Sequence, residues 1–359
     1  MRTEILLLTL LIAGCSENKM PDDRVTNGED IETAIIFQLG VPGGNEVEYG
    51  RSIPADKEEN EVYTMKVYDF QVKESAQSDG RDTLFTGAYF LEKTDEETPH
   101  TGSFTNKGGI ITARISLSAK LNSEHVFVFV ANEGVTRFDS IAQTDTIPLE
   151  ELRKIPIDRL RKTPSTRLPG NGDNTDVLMK NGAVMTTDYY LSITEEMIAA
   201  GKINISSPLY LQRIVARVDV VDRVDASMNF KLVSVGVKGT AAQGYLFERG
   251  SDGGRTASLC TGTVELVQNS EMSMDETTRP YTYKKALYLY ESDAVRPPTL
   301  VVTYTLNGSR GTQEVEMKDN VTNQPFDIRR NWVYTLEIGD IKSAALSCQM
   351  GREEIINKE

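Results

Sequence analysis

Short apolar runs with a period of two, set between polar turns, restrict this chain more than any other feature. Ile35, Phe37, Leu39 and Val41 alternate in one segment, Ile110–Ala119 alternates likewise, and Val62–Val72 is a further strand candidate. Ile214, Ala216, Val218 and Val220 alternate against Arg213, Arg217 and Asp219, and Trp332, Tyr334, Leu336 and Ile338 form a further one-faced run. Successive side chains of a strand point to opposite faces, so this spacing predicts sheets with one buried face. Val126–Val130 is apolar throughout, as expected of a strand covered on both faces. Asn307-Gly308, between Leu300–Leu306 and Gln313–Met317, predicts a hairpin, because a type I′ turn needs positive φ at both central residues.

Two segments read as helices. Pro148–Lys162 begins with proline and an acidic turn, and Thr194–Ala200 is the second. Pro164–Asp176 reads as a surface loop, in which Asn171 to Asp176 is an Asx-rich turn without the register of a calcium loop. With 359 residues, the chain is long enough for two domains. The expected fold is mainly β: two tandem β-sandwiches, the first carrying a few short helices, with a boundary near Ser206–Pro208. The corresponding division is 52–206 and 207–359.

The N-terminus reads as an address. Arg2 precedes a largely apolar run over residues 5–13, too short to span a bilayer, which takes about 20 residues, but suited to a signal-peptide core. The run ends in Ile12-Ala13-Gly14-Cys15, which resembles a bacterial lipobox. Residues 1–14 are therefore expected to be removed and Cys15 to carry lipid, including palmitate. Residues 15–51 then comprise a polar tether and the first strand, and the protein is anchored to a membrane rather than spanning it.

Charge and composition exclude several functions. There are 39 Lys and Arg against 53 Asp and Glu, a formal charge of −14, which argues against nucleic acid as a partner. Three cysteines and two histidines leave little for a metal site, and none is expected. His100 and His125 stand in no metal-ligand spacing, and no nucleophile elbow, phosphate loop or dinucleotide fingerprint occurs. The reading is of a protein that is not an enzyme and needs no cofactor.

The segment Thr33–Val41 is oddly placed. It is a well-patterned strand between the lipid anchor and a stretch, Pro42–Glu61, rich in Gly, Pro and charge. Within that stretch stands Gly50-Arg51-Ser52, a trypsin-type site in the kind of exposed, small-residue segment that proteases nick. Cutting there detaches the strand bearing Ile35, Phe37, Leu39 and Val41. An apolar groove with unpaired sheet edges then opens to a strand from another chain. From the residues alone, an ordinary first strand beside an ordinary loop arginine stays open as the alternative.

The chain also resembles a family, the type V pilins or fimbrillins, made as lipoprotein precursors. The lipobox Ile12–Cys15 and strand Thr33–Val41 stand where that family has its anchor and removable strand. Val62–Asp69 looks like its second strand, and Val126–Asn132 like its apolar run ending in Ala-Asn. Pro208–Val218 resembles the Arg-x-x-Ala-Arg segment opening its second domain, and Arg329-Arg330-Asn331-Trp332 resembles the start of its late strand. The resemblance implies transthyretin-like sandwiches, export to the outer membrane, and cleavage at Arg51-Ser52 by an arginine-specific protease. It implies polymerisation with other fimbrial subunits by donor-strand complementation, and a structural role in adhesion. The candidate donor strand carries Ala344, Leu346, Cys348 and Met350, but Gly351-Arg-Glu-Glu354 breaks its apolar face. A tip or minor subunit, which accepts a strand without donating one, is therefore favoured over a shaft subunit. The alternatives are a fimbrial anchor subunit, or a monomeric surface lipoprotein that binds glycans.

Overall fold

A computed structural model describes residues 30–40, 60–74, 81–107, 109–132, 149, 156–157, 183–241, 244–246, 264–267, 281–291, 297–342 and 345–354. The first half holds β1 (Asp30–Gly40), β2 (Met65–Glu74), β3 (Arg81–Lys93), β4 (Ser103–Lys107), β5 (Ile110–Lys120) and β6 (Glu124–Ala131). Next come β7 (Pro156–Ile157), β8 (Met185–Ser192), the short helix α1 (Glu195–Ala199), β9 (Lys202–Tyr210) and β10 (Gln212–Arg213). The second half holds β11 (Val215–Asp222), β12 (Phe230–Lys238), β13 (Gly244–Tyr245), β14 (Val264–Val267) and β15 (Tyr281–Tyr290). It closes with β16 (Thr299–Leu306), β17 (Ser309–Glu316), β18 (Trp332–Lys342) and β19 (Ala345–Glu354).

The first sandwich is one sheet turned on itself, in the order β10-β8-β6-β2-β3-β4-β5-β1-β9. The turn is made by β3, which pairs with β2 up to Leu91 and then, through Glu92 and Lys93, in parallel with β4. Strands far apart in that order therefore face each other: Ile35, Phe37 and Leu39 of β1 share a core with Phe127 and Phe129 of β6 and Met185 of β8. The second sandwich is two four-stranded sheets, β15-β11-β18-β19 and β14-β12-β16-β17. Val218, Leu336, Val235 and Val302 lie among its core residues. The expected mainly-β fold in sandwiches is what the structure shows.

A third core joins the two halves. Val128 and Val130 of β6 and Tyr68 and Phe70 of β2 turn outward from the first core and pack with Ile214, Val215, Leu246 and Tyr290. This explains the unbroken apolar run at Val126–Val130. Phe127 and Phe129 fill the first sandwich while Val128 and Val130 fill the junction.

Local chemistry follows the sequence closely at the turns. Asn307 and Gly308 both have positive φ, 49° and 80°, and Leu306 pairs with Ser309 across them. Thr194 caps α1, accepting from the Met197 N–H at 3.3 Å, with Glu195 and Glu196 in the first turn. The helix expected over Pro148–Lys162 does not run through: Pro156 and Ile157 form β7, paired with β13. Pro156 has no N–H to donate and its ring disrupts the preceding turn, so a helix cannot pass it. Strand β9 continues through Ser206–Pro208, and the chain reaches the second sandwich between Arg213 and Val215.

Candidate strand-acceptor slot

Strand β1 lies between β5, to which it is antiparallel, and β9, to which it is parallel. Its side chains alternate as read: Ile35, Phe37 and Leu39 are fully buried, and Glu32 and Gln38 are exposed. Val41, the fourth residue of that face, lies outside the described residues. Ile35 stands opposite Ile115 and Ile203, Phe37 opposite Ala113 and Ile205, and Leu39 opposite Ile111 and Leu209. The Phe37 ring meets Phe129 edge-on at 4.8 Å, Phe127 at 5.3 Å and Tyr189 at 6.2 Å. Burial of three such side chains contributes roughly 5–9 kcal/mol as an upper bound. Thr33, 4% exposed, is also on this face, and its hydroxyl has no hydrogen-bond partner among the described residues.

The hydrogen bonds that fasten residues 60–64 run to groups outside β1. Arg213 donates to the Asn60 side-chain oxygen. Asn132 Nδ2 donates to the Glu61 carbonyl at 2.8 Å and to that of Ala183 at 2.9 Å, and its Oδ1 accepts from the Tyr63 N–H at 2.8 Å. The Asn132 N–H donates to the Thr64 carbonyl at 2.9 Å, and Val62 is fully buried. A left-handed backbone, φ 60°, turns Asn132 toward all these groups. Arg213 also donates to Asn331 Oδ1 at 2.8 Å, while the Asn331 N–H donates to the Val215 carbonyl at 2.9 Å. The Arg-x-x-Ala-Arg and Arg-Asn-aromatic segments, 118 positions apart, thus meet at the junction. Residue-by-residue reading missed the clamp roles of Asn132 and Arg213. The cue for Asn132 was an Asn directly after a buried strand, where a left-handed residue is common.

Cys15, Arg51, Ser52 and Ala344 lie outside the described residues. The rest of the candidate donor strand is part of the second sandwich. In β19, Leu346 and Met350 are 4% and 5% exposed within its core, and Cys348 packs beside them. Burial pushes the Cys348 thiol up to about 11. On the side of β19 away from β18, Gln313 reaches over from β17: its Oε1 accepts from the Leu346 N–H at 2.7 Å and its Nε2 donates to the Leu346 carbonyl at 2.8 Å. Asn320 donates to the Met350 carbonyl at 2.8 Å. Arg352, read from sequence as breaking the apolar face, lays its guanidinium 4.7 Å from the Phe326 ring centre and 5.5 Å from that of Trp332.

The histidines lie apart. His100 is exposed, whereas His125, 2% exposed, is the second residue of β6. His125 Nδ1 is 2.8 Å from Asp69 Oδ1, and its Nε2 is 3.0 Å from Ser123 Oγ. The order of groups is that of a hydrolase relay, but the ring is stacked on Phe127 inside the sandwich, and the arrangement is a buried polar link between β2 and β6. Burial and the Asp69 charge push the nearby Tyr89 phenol up to about 12. Among the described residues, no three His, Cys, Asp or Glu side chains are grouped to hold a metal.

No family model matches this sequence, and no curated protein matches it. Solved structures do. The tip fimbrial protein Mfa3 of Porphyromonas gingivalis, truncated at its C-terminus, superposes with a TM-score of 0.55 at 12% identity, over 90% of this chain and 100% of that one. A candidate cell adhesion protein of Parabacteroides distasonis gives 0.55 at 14% identity, over 91% and 99%. Another, from Bacteroides eggerthii, gives 0.52 at 11% identity, over 91% and 97%. What is shared at these identities is the fold, along nearly the whole of each chain.

Proposed function

We propose that this chain, built on the fold of fimbrial tip and adhesion proteins, is itself a structural subunit of cell-surface fimbriae. It is exported as a lipoprotein, held at the outer membrane by lipid on Cys15. An arginine-specific protease cuts between Arg51 and Ser52, β1 leaves, and a strand from another subunit takes its place between β5 and β9. The function is mechanical and adhesive, and no substrate is turned over.

The observation that carries this reading is the contrast between β1 and the segment beginning at Asn60. The strand is fully buried at Ile35, Phe37 and Leu39, yet the chain from Asn60 onward is fastened by Asn132 and Arg213 independently of it. A strand placed in this way can be exchanged while the hydrogen bonds that fasten Glu61 and Tyr63 to Asn132 stay in place. The seating of β19 in its own sandwich favours a tip or minor subunit, which accepts a strand and donates none.

The test is the N-terminus and intact mass of the protein taken from the cell surface. A chain beginning at Ser52 is expected, and Arg51→Ala is expected to stay a lipidated monomer. Normal polymerisation of Arg51→Ala overturns the processing step. A surface protein that begins at lipidated Cys15 and still stands in fimbriae is the anchor subunit instead.

A further inference from the structure

The sheet order gives β9 a dependence that no other long strand of the first sandwich has. Among the described residues its single strand neighbour is β1, whereas β5, on the other side of β1, also pairs with β4. Ile203 and Ile205 of β9 touch the core, but the strand's ladder hydrogen bonds run to β1 alone. With β1 gone, β5 keeps a partner and β9 keeps none. Unpaired backbone N–H and C=O groups beside an apolar groove are unfavourable, so β9 cannot hold its place there.

The far end of β1 is tied to the same element. The Leu211 N–H, just past β9, donates to the Gly40 carbonyl at 3.0 Å. The Tyr210 ring lies over Gly40 so closely that a Cβ there would come within 2.7 Å of it. The Phe37 ring occupies a space walled by Phe127, Phe129 and Tyr189. Between those two features the slot has a polarity. An aromatic ring comes first, and a residue without a side chain stands three positions later in the direction that β1 runs. The register with β9 skips between Ile205 and Leu209, around Pro208, so the parallel partner is matched to one direction as well.

We propose that β9 is a conditional strand, holding its place only while a strand in β1's direction lies beside it. The slot therefore selects an occupant that pairs parallel to β9, with an aromatic ring at the place of Phe37. That an occupant from another chain replaces β1 rests on the acceptor reading above, but the dependence of β9 on β1 does not.

Amide hydrogen exchange on the purified full chain, with the segment after β1 uncut, tests this. Phe37→Ala is expected to speed exchange in β1 and in β9 by the same factor, about 100-fold or more, while β6 and β8 stay at their original rates. If that variant does not fold, Leu39→Ala is read in the same way. A synthetic peptide of residues 30–41, added to the variant, is expected to restore protection in β9, and the same residues in reverse order are not. Exchange in β9 that stays at its original rate while that of β1 rises overturns the dependence. Restoration by the reversed peptide overturns the direction. Neither result depends on whether Arg51 is cut on the cell, so failure here and failure of the processing step are distinguishable.

Discussion

The two outermost described strands, β1 and β19, look alike in sequence and differ in what surrounds them. Each sends alternate apolar side chains into a sandwich core: Ile35, Phe37 and Leu39 in one, Leu346, Cys348 and Met350 in the other. Strand β1 lies inside its sheet, with a strand on either side. Among the described residues strand β19 lies at an edge, joined to β18, and the side-chain amides of Gln313 and Asn320 bond its far side. Apolar alternation therefore marks a strand as buried but does not say whether it can be exchanged. That depends on what its removal leaves behind. Losing β1 takes the pairing partner from both β5 and β9, and only another strand can restore both. Losing β19 exposes one backbone edge, on β18.

Phe37→Ala is expected to lower stability most, by about 3–5 kcal/mol, and Met350→Ala by about 2–4 kcal/mol, both read from urea unfolding of the full chain. Equal losses would mean that β1 and β19 are equivalent. Asn132→Ala, expected to lose about 2–3 kcal/mol, removes the side-chain bonds to Glu61, Tyr63 and Ala183 and should speed amide exchange at Tyr63. Unchanged exchange at Tyr63 would show that the Asn132 side chain does not hold that segment.

Gln313→Ala has a smaller expected effect, about 1–2 kcal/mol, with exchange rising at Leu346 and not in β1. The smallest effect concerns Cys348. Its thiol is raised from an ordinary 9.0 to about 11 by burial, so the unfolded chain ionises first as pH rises. Stability referred to this group is complete below about pH 9 and declines toward pH 11. The urea midpoint of the natural chain should therefore fall more between about pH 8 and pH 10.5 than that of Cys348→Ala. Parallel falls in the two chains would show that the thiol is open to water and that β19 sits loosely.

The sandwich class was legible in the residues because period two and turn chemistry are local signals. The inward face Ile35, Phe37 and Leu39, the Asn307-Gly308 hairpin and the Thr194 cap all rest on contacts within a few positions or on one strand's own pleat. What escaped was long-range. The helix read over Pro148–Lys162 underweighted Pro156, whose partner β13 lies far along the chain. Arg352 looked like a break in β19 because its aromatic partner Phe326 belongs to another turn of the chain. The link from Asp69 to His125 joins residues 56 positions apart, and neither neighbourhood announces the other.

Taken alone, the amino-acid sequence determined that this chain folds as β-sandwiches, which face of β1 is buried, and where the Asn307-Gly308 turn lies; β11, read as one-faced, is buried on both faces, Arg217 and Asp219 included. A residue's position in a pleat or turn is set by its immediate neighbours. Only the tertiary structure decided that β1 lies between β5 and β9, that β9 has no other strand beside it among the described residues, and that β19 is sealed into the second core. Pairing order is chosen by the whole chain at once. It is the arrangement in which every buried backbone group finds a partner and every apolar face finds another, and no local pattern carries that information.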